Sequence, residues 1–537
     1  MSTIASGTTT ASLWEWSRTA HGQRTFLVHL DEQGNRIELS YAEMAARIHR
    51  CAHAFVELGV GFGDTVLLQL RNTPTMLATL FGLAEIGAIA VPLGMGASAA
   101  EINRAIRRTS CAWIVVEADR LECHRTALVG QPDVRAVLVA GAPSAQPSMP
   151  CPTLALDTLV EGQADSPVQA PLNSETVTEI LYTSGSTAAP KGVLITQGNL
   201  VFSGQYGVWQ TSLRPDDRLL TTMPACHSNF QLAALTPVLV AGATLVMVER
   251  YSAHSYWETV RTERATVIQL ISMMARTMLL QPPNPLDAQH SVREVQYFIA
   301  ISDEEKAAFE QRFGLHLMNC YGSTESIGWA LTDPPVGERR WPSVGRPGLG
   351  YQVGIFDEDG HQLDPHQVGE IRIKGIPGHS LTIGYHDDPR TTRQALSPDG
   401  WLCTGDQGYC DEDGWFYFVD RRIDMIKRAG ENISATEVET VLSAHPLIAE
   451  AAVVALPDSL RDATVKAFVR PVPGAILTAR QVIDHCAEHL NSYKVPELVE
   501  LVDHFPRTES MKIAKAELSR LSLSPCKKTN QPFERNI

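Results

Sequence analysis

Short runs of apolar and β-branched residues alternate with helix-like patterns over most of the chain. The runs that predict buried strands are Thr65–Leu70, Trp113–Glu117, Ala136–Ala140 and Thr244–Val248. Between such runs, apolar positions recur with the helical period in Tyr41–Leu58 and in Pro74–Ile86. Thr73 is suited to cap the second helix, and Pro74 suits its first turn. This alternation predicts layers of helices on parallel sheets.

Two stretches depart from the alternation. Between Leu349 and Arg372, glycines separate short apolar runs, which predicts a small β-rich subdomain. After Arg421, a compact mixture of strand and helix patterns fills about 100 residues, the size of a small domain. We therefore predict an α/β multidomain protein. Its large N-terminal domain, residues 1–421, has layered α/β subdomains plus the β-rich one. A small mobile α+β C-terminal domain follows at 422–521, and 522–537 is expected to be a mobile tail.

Composition and charge exclude several classes of protein. The 537 residues are 44% hydrophobic and 20% charged, which is ordinary for a globular protein. The formal net charge of −15 argues against a nucleic-acid partner. The N-terminus lacks a signal-peptide pattern, and Pro224, Pro237 and Gly242 interrupt the longest uncharged stretch, so no transmembrane segment is expected. These features predict a cytoplasmic protein.

The strongest local signal is the segment YTSGSTAAPKG, Tyr182–Gly192. Hydroxyls and exposed backbone N–H groups in a glycine-containing turn can bind an anion, and a lysine adds a positive charge. Pro190 stands where a P-loop has glycine, which disfavours a P-loop NTPase. A serine- and threonine-rich turn without a ligand is the alternative. The candidate phosphate-binding residues are Thr183, Ser184, Gly185, Ser186, Thr187 and Lys191.

Three further segments contain chemistry of the same kind. The pentapeptide YGSTE, Tyr321–Glu325, combines an aromatic ring, hydroxyls and a carboxylate suited to Mg²⁺. Asp406 and Arg421 are suited to accept from and donate to ribose hydroxyls. A basic cluster near the C-terminus contains Lys512. Taken singly, each segment is also compatible with a turn or a solvated surface.

The order of the four segments resembles the adenylate-forming superfamily of acyl-CoA synthetases, adenylation domains and luciferases. The resemblance extends from about Leu13 to Leu521. Further segments resemble the carnitine/crotonobetaine–CoA ligase branch: Ile271–Pro283, Ile301–Gly314, Glu338–Gly348 and Phe418–Ser434. The resemblance implies an ATP-dependent acid–CoA ligase. A carboxylate attacks the α-phosphate of ATP to give an acyl-adenylate and pyrophosphate, and the thiol of coenzyme A then takes the acyl group. ATP, Mg²⁺ and coenzyme A are the implied cofactors.

The resemblance also implies a role for each residue in the first half-reaction. Thr183–Thr187 and Lys191 line the loop over the β- and γ-phosphates. Tyr321 stacks on adenine, Thr324 contacts the α-phosphate and Glu325 holds the metal ion. Asp406 and Arg421 bind the ribose, and Lys512 bridges the carboxylate and the α-phosphate. The basic residues expected to offset the negative net charge near ATP are Lys191, Arg339, Arg340, Arg346, Arg421 and Lys512.

In the second half-reaction the C-terminal domain is expected to rotate, which takes Lys512 out of the site. Gly430 would let the pantetheine arm pass close to the backbone, because it has no Cβ. Lys427 is a further candidate for this step, with a solvated lysine as the alternative. His227 stands at a family position between the acyl pocket and the thiol tunnel, with a structural buried histidine as the alternative.

Three positions depart from the family pattern. Ala188 and Met511 stand where the family usually has glycine, and Ile423 occupies a hinge position that is usually Asp or Lys. These departures would suit a non-catalytic binding protein that kept the fold. The presence of Lys512 argues against that possibility, because a binding protein does not need it.

The expected substrate is a small carboxylic acid. The aspartate that binds the amine in amino-acid-activating relatives is absent around His227. A carnitine-like acid has a quaternary ammonium group, which binding sites usually surround with aromatic rings. The candidate rings are Tyr206, Trp209, Phe230 and Trp329, and burial in the core is their alternative. A stand-alone adenylating enzyme that loads a carrier-protein thiol or an amine stays open as the second function.

Overall fold

The computed structural model describes residues 7–141, 147–183, 190–298, 301–421, 425–428, 431–458, 462–508 and 512–523. Within these ranges the chain forms two compact units. The larger contains the described residues up to Phe418, and the smaller contains those from Val419 onward.

The strands, in chain order, are β1 Thr25–Leu30, β2 Arg36–Ser40, β3 Thr65–Gln69, β4 Ile89–Pro92, β5 Trp113–Glu117, β6 Ala136–Ala140, β7 Thr153–Ala155, β8 Val177–Thr183, β9 Lys191–Thr196, β10 Arg218–Thr221, β11 Thr244–Val248, β12 Val267–Ile271, β13 Glu294–Phe298, β14 Leu317–Tyr321, β15 Leu331–Thr332, β16 Arg346–Pro347, β17 Gln352–Phe356, β18 Gly369–Lys374, β19 Trp401–Cys410, β20 Phe416–Arg421, β21 Met425–Arg428, β22 Glu431–Ser434, β23 Ile448–Asp458, β24 Asp462–Pro471 and β25 Leu498–Leu501.

The α-helices are α1 Thr10–His21, α2 Tyr41–Glu57, α3 Pro74–Ile86, α4 Ala99–Thr109, α5 Leu121–Ala127, α6 Leu156–Val160, α7 Gln197–Thr211, α8 Ser228–Phe230, α9 Thr236–Ala241, α10 Tyr256–Thr262, α11 Ser272–Leu279, α12 Asp303–Phe313, α13 Pro389–Ala395, α14 Ala435–Ser443, α15 Ala479–His489 and α16 Lys515–Leu523. A π-helical turn at Gln231–Leu235 joins α8 to α9. None of the helices in the described part of the chain has both the length and the hydrophobicity needed to cross a bilayer.

Two large sheets form the core of the larger unit. One has nine strands in the order β16-β15-β14-β13-β12-β10-β11-β1-β2, and the other has seven in the order β7-β6-β5-β3-β4-β8-β9. The inner strands pair in parallel, whereas β2, β9, β15 and β16 pair antiparallel to their neighbours. Sheets of this kind need helices on both faces, which explains the continuous apolar runs in their strands. The predicted α/β class is confirmed.

The start, end and burial of helix α3 follow from its sequence. The Thr73 hydroxyl accepts the N–H of Met76, and Pro74 occupies the first turn. Gly87 ends the helix at φ +75°, a left-handed conformation that glycine adopts without strain. Nearly every residue of α3 is buried, so its apolar character extends around the whole helix. Its observed bounds are the predicted ones.

A four-stranded sheet in the order β17-β18-β19-β20 forms the predicted β-rich part of the larger unit. Strands β17 and β18 pair antiparallel from Gln352 and Lys374 onward. The pairing of β18 with β19 shifts register between Glu370 and Arg372. Asp406 lies in this irregular part of β19.

The smaller unit contains a three-stranded sheet in the order β23-β24-β25, with α14 and α15 in the same apolar cluster. This mixture agrees with the α+β pattern predicted after Arg421. Helix α16 includes Ser522 and Leu523, and the rest of the predicted mobile tail lies outside the described residues.

Candidate active site

Two candidate site residues of the larger unit lie at the carboxyl ends of sheet strands. Tyr321 is the last residue of β14, which pairs in parallel with β13. Thr183 is the last residue of β8, which pairs in parallel with β4. Ligands of α/β proteins usually bind at this edge of a sheet. The topology therefore agrees with the position expected for a binding site.

Tyr321 and Asp406 are in direct contact. The Tyr321 hydroxyl donates a hydrogen bond to Oδ2 of Asp406 at 2.7 Å. Asp406 lies in the irregular part of β19, where Gly405 has φ +73°. A bulge with a left-handed glycine re-aims the side chain that follows it. The structure thus brings together the predicted adenine-stacking and ribose-binding residues.

Glu325 and Lys191 lie around one tyrosine, Tyr385. The Tyr385 hydroxyl donates to Oε1 of Glu325 at 2.9 Å. The Lys191 ammonium lies 5.1 Å from the centroid of the same ring, within cation–π distance. The backbone of Glu325 is also held, because its carbonyl accepts the N–H of Thr382 at 2.9 Å. Predicted phosphate- and metal-binding groups are therefore neighbours.

Thr324 connects this turn to His227. Its hydroxyl donates to the Ser228 hydroxyl at 3.2 Å, and Ser228 lies 3.5 Å from Nδ1 of His227. The same Nδ1 accepts the N–H of Asn229 at 3.2 Å, which caps α8. Accepting at Nδ1 places the proton of a neutral imidazole on Nε2. His227 is half-buried rather than enclosed in the core.

The predicted phosphate loop is described only at its two ends. Thr183 pairs with Lys191 in the β8–β9 hairpin, and its hydroxyl donates to the Lys191 carbonyl at 3.5 Å. Ser184, Gly185, Ser186, Thr187 and Ala188 lie outside the described residues. Lys191 is therefore positioned by regular strand pairing at the base of this loop.

The predicted residues of the smaller unit are described in part. Lys512 is exposed, and its carbonyl accepts the N–H of Thr508 at 2.8 Å. Arg421 and Lys427 lie in β20 and β21, but their side chains are outside the described part, as are Ile423, Gly430 and Met511. Roles for these residues are supported by the sequence resemblance.

Asp420, which no sequence argument singled out, fixes the chain next to Arg421. Its side chain is buried and accepts hydrogen bonds from the hydroxyls of Ser434 and Thr436, at 2.9 Å and 3.3 Å. These contacts attach the end of β20 to the start of α14. The position directly before a predicted ribose-binding arginine was the available signal.

Two of the arginines expected to offset the negative charge near ATP are already neutralised. Arg339 forms two hydrogen bonds to Glu294, at 3.0 Å and 2.7 Å. Arg340 contacts Asp411 and Asp413, both at 3.0 Å. That prediction is wrong for these two residues, because nearby carboxylates take up their charge.

Two of the four candidate cage aromatics belong to the core. Tyr206 and Phe230 are 1% and 0% exposed, so they present no free ring face to a ligand. Trp209 and Trp329 are half-buried. Trp329 stacks on Phe298 with ring centroids 4.1 Å apart. For Tyr206 and Phe230, burial in the core, the alternative to a ligand-facing role, is the observed outcome.

Two protein-family models match this chain, one in each unit. The model described as "AMP-binding enzyme" matches residues 14–386. The model described as "AMP-binding enzyme C-terminal domain" matches residues 437–512. The two ranges contain the Tyr182–Gly192 and Tyr321–Glu325 segments and Lys512, whereas Asp406 and Arg421 lie between them.

Curated relatives match at nearly full length. A crotonobetaine/carnitine–CoA ligase of Citrobacter koseri is 39% identical over 535 residues, covering 96% of this chain and 99% of the relative. The protein of the same name from Salmonella typhi is 39% identical, with the same coverage.

Solved structures share the fold. Benzoate CoA ligase of Burkholderia xenovorans aligns with a TM-score of 0.83 at 23% identity, covering 95% of this chain and 100% of that one. The o-succinylbenzoate CoA synthetase of Bacillus subtilis aligns with a TM-score of 0.82 at 24% identity, covering 96% and 98%. The chain therefore belongs to the AMP-binding enzyme family, and the predicted class, an adenylate-forming acid–thiol ligase, is confirmed.

Proposed function

We propose that the protein is an ATP-dependent acid–CoA ligase that works through an acyl-adenylate. In the first half-reaction a substrate carboxylate oxygen forms a bond to the α-phosphorus and pyrophosphate leaves. In the second, the sulfur of coenzyme A attacks the acyl carbon and AMP leaves. The observation that supports this most strongly is the convergence of Lys191, Tyr385 and Glu325 next to a YGSTE turn.

Each part of the nucleotide has candidate binding residues. Tyr321 offers a ring to adenine and Asp406 accepts from ribose hydroxyls, with Arg421 as the proposed donor. Lys191 and the Thr183–Thr187 loop would hold the β- and γ-phosphates. Thr324 would donate to the α-phosphate. The contact between Tyr321 and Asp406 supports this arrangement, because it brings the adenine and ribose groups side by side.

Mg²⁺ fits the donor set at Glu325. The metal prefers oxygen ligands and is usually held by one or two carboxylates plus phosphate oxygens. Oε1 of Glu325 accepts from Tyr385, so the carboxylate is oriented by a neighbour as metal-binding carboxylates usually are. Bound there, the ion would neutralise charge on the phosphates.

Lys512 would stabilise the charge that develops at the α-phosphate, as a preorganised cation does in phosphoryl chemistry. We propose that the smaller unit presents Lys512 during adenylation and Gly430 during thioester formation. Lys427 and His227 are the further candidates at the thiol tunnel and the acyl pocket. His227 is linked to Thr324 through Ser228, which supports a place near the reacting groups.

The proposed substrate is a small acid with a quaternary ammonium group, as in the carnitine and crotonobetaine named for the 39%-identical relatives. Trp209 and Trp329 are the remaining rings that could face such a group. Coenzyme A is the proposed acceptor, because those relatives are named as CoA ligases.

Acid-dependent exchange of pyrophosphate into ATP tests adenylation alone. Exchange that requires both a carboxylic acid and a divalent metal ion supports the proposal. The proposal would be overturned if none of the tested acids supports exchange, or if exchange proceeds without an acid. Loading of a carrier-protein thiol or an amine would appear as exchange without a response to coenzyme A.

A further inference from the structure

Tyr385 contacts two residues of the proposed nucleotide site, Glu325 and Lys191. The side chain is 7% exposed. Its hydroxyl donates to Oε1 of Glu325 at 2.9 Å, and its ring faces the Lys191 ammonium at 5.1 Å. One residue thus contacts the proposed metal ligand with its hydroxyl and the proposed phosphate-binding cation with its ring.

The backbone of Tyr385 is fixed against β9, the strand that begins with Lys191. An antiparallel bridge joins it to Val193. Its neighbours extend the pairing, because Gly384 accepts the N–H of Leu194 at 3.0 Å and His386 donates to Gly192 at 2.8 Å. Functional side chains need such support if their geometry is to be kept without a ligand.

The segment before Tyr385 is packed too closely for a larger residue. Gly384 has φ +135°, and a Cβ at that position would lie 2.5 Å from the Thr392 side chain. The Thr392 hydroxyl in turn accepts the N–H of Tyr385 at 3.0 Å. The backbone of Tyr385 is therefore held by contacts other than the one with Glu325.

The direction of the hydrogen bond is also determined. A tyrosine hydroxyl ordinarily has a pKa of about 10, well above neutral pH. The phenol therefore stays protonated and donates, while an ionised carboxylate can only accept. The Tyr385 hydroxyl therefore fixes Oε1 of Glu325 as its acceptor.

We propose that Tyr385 is a positioning residue for the metal–nucleotide complex: its hydroxyl orients the Glu325 carboxylate and its ring restrains the Lys191 ammonium. This inference rests on the proposed roles of Glu325 and Lys191 in binding metal and phosphate. The hydroxyl and the ring act on different groups, so their effects are separable by substitution.

Two variants separate the contacts. Tyr385→Phe keeps the ring beside Lys191 and removes only the donor to Glu325. Tyr385→Leu removes both. Tyr351→Phe is the matched control, because Tyr351 is also 7% exposed and its hydroxyl donates to the carbonyl of Ser326, the residue after Glu325. It removes a hydroxyl that bonds to the backbone beside Glu325 and leaves the donor to the carboxylate in place.

The experiment measures Mn²⁺ binding to the ATP complex of the full-length protein by electron paramagnetic resonance, alongside AMP affinity. Mn²⁺ is the probe because carboxylate and phosphate oxygens suit it as they suit Mg²⁺. For Tyr385→Phe we expect Mn²⁺ affinity to fall about tenfold or more, the usual effect of losing a group that orients a metal ligand. AMP affinity should stay within about twofold of the wild type.

For Tyr385→Leu we expect the same loss of Mn²⁺ affinity together with a rise in the KM for ATP at saturating metal, because Lys191 loses the ring. Tyr351→Phe should match the wild type in both. Equal effects of Tyr385→Phe and Tyr351→Phe would overturn the positioning role, as would unchanged Mn²⁺ affinity in Tyr385→Phe. Wild-type protein that binds no Mn²⁺ with ATP would instead refute the proposed metal site itself.

Discussion

The hydroxyl of Tyr321 donates to Oδ2 of Asp406 at 2.7 Å, although 85 positions separate the two residues in the sequence. This contact joins the ring proposed for adenine to the carboxylate proposed for ribose, so the side chains for two parts of one ligand are positioned together. Such preorganisation lowers the entropy that binding must offset.

Substitution of Tyr321 should separate ring from hydroxyl. Tyr321→Phe should raise the KM for ATP about two- to tenfold, since a net hydrogen bond contributes about 0.5–1.5 kcal/mol. Tyr321→Leu should weaken AMP binding further, because stacking of a base on an aromatic ring contributes about 1–3 kcal/mol. Steady-state kinetics with ATP measures the first effect, and calorimetric titration with AMP measures the second. A leucine variant that binds AMP as tightly as the wild type would remove adenine stacking from the account.

Lys512→Ala should lower adenylation about 10²–10³-fold, the scale for losing one charge contact in a transition state. It should spare thioester formation from a supplied acyl-adenylate. Arg480→Ala is a suitable control, because it removes an exposed positive charge from the same unit. Single-turnover assays of each half-reaction measure the split. Equal loss in both half-reactions would refute the assigned role.

Gly430→Trp should have the opposite effect. A large side chain in the proposed thiol tunnel should block thioester formation, while acid-dependent pyrophosphate exchange continues. The residue lies outside the described part of the structure, so this prediction depends on the sequence resemblance. If exchange is lost together with thioester formation, Gly430 has a structural role only.

His49 should make stability depend on pH. Nδ1 lies 2.8 Å from Oε2 of Glu85 and Nε2 lies 3.1 Å from Oε1 of Glu15. Burial alone would lower the pKa of His49, but hydrogen bonds and charge from both glutamates outweigh it and raise the pKa. The resulting stabilisation is complete below about pH 6.5 and is lost as pH rises through the raised pKa.

His49→Gln should therefore lower the free energy of unfolding by about 1–3 kcal/mol at pH 6, the cost of an unsatisfied buried partner, and by less at pH 9. His53→Gln on the same helix α2 is the control, since Nε2 of His53 forms a hydrogen bond to the carbonyl of Ser166. Urea unfolding of both variants across this pH range gives the comparison. A His49→Gln deficit that is constant or grows with pH would contradict the raised pKa.

Local sequence patterns predicted much of the fold. Strands β5, β6 and β11 and helix α3 have the predicted bounds, because apolar runs and caps are local signals. The Tyr321–Asp406 contact could not be predicted, since it depends on a bulge in β19. Tyr385 was missed for a similar reason. Tyr385, between Gly384 and His386, has no local feature that marks it, and the pairing with β9 places it where it reaches Glu325.

The sequence also could not show which aromatic rings face a ligand. Helix α7 is buried on nearly all faces, so its sequence does not indicate which rings face a ligand. Tyr206 belongs to the core, where it packs on Trp209 and Tyr351. Substrate choice therefore needs a direct measurement.

The central claim is tested most directly by pyrophosphate release and acyl-CoA formation with ATP and Mg²⁺ across a panel of acids, with and without coenzyme A. The panel contains carnitine, crotonobetaine and γ-butyrobetaine beside neutral medium-chain and aryl acids. The account predicts release with the quaternary-ammonium acids that increases with coenzyme A and yields a thioester. Ready thioester formation with neutral acids and none with the three betaines would contradict the proposed substrate. Pyrophosphate release that does not change when coenzyme A is added, or no release with any acid, would contradict the proposed CoA ligase activity.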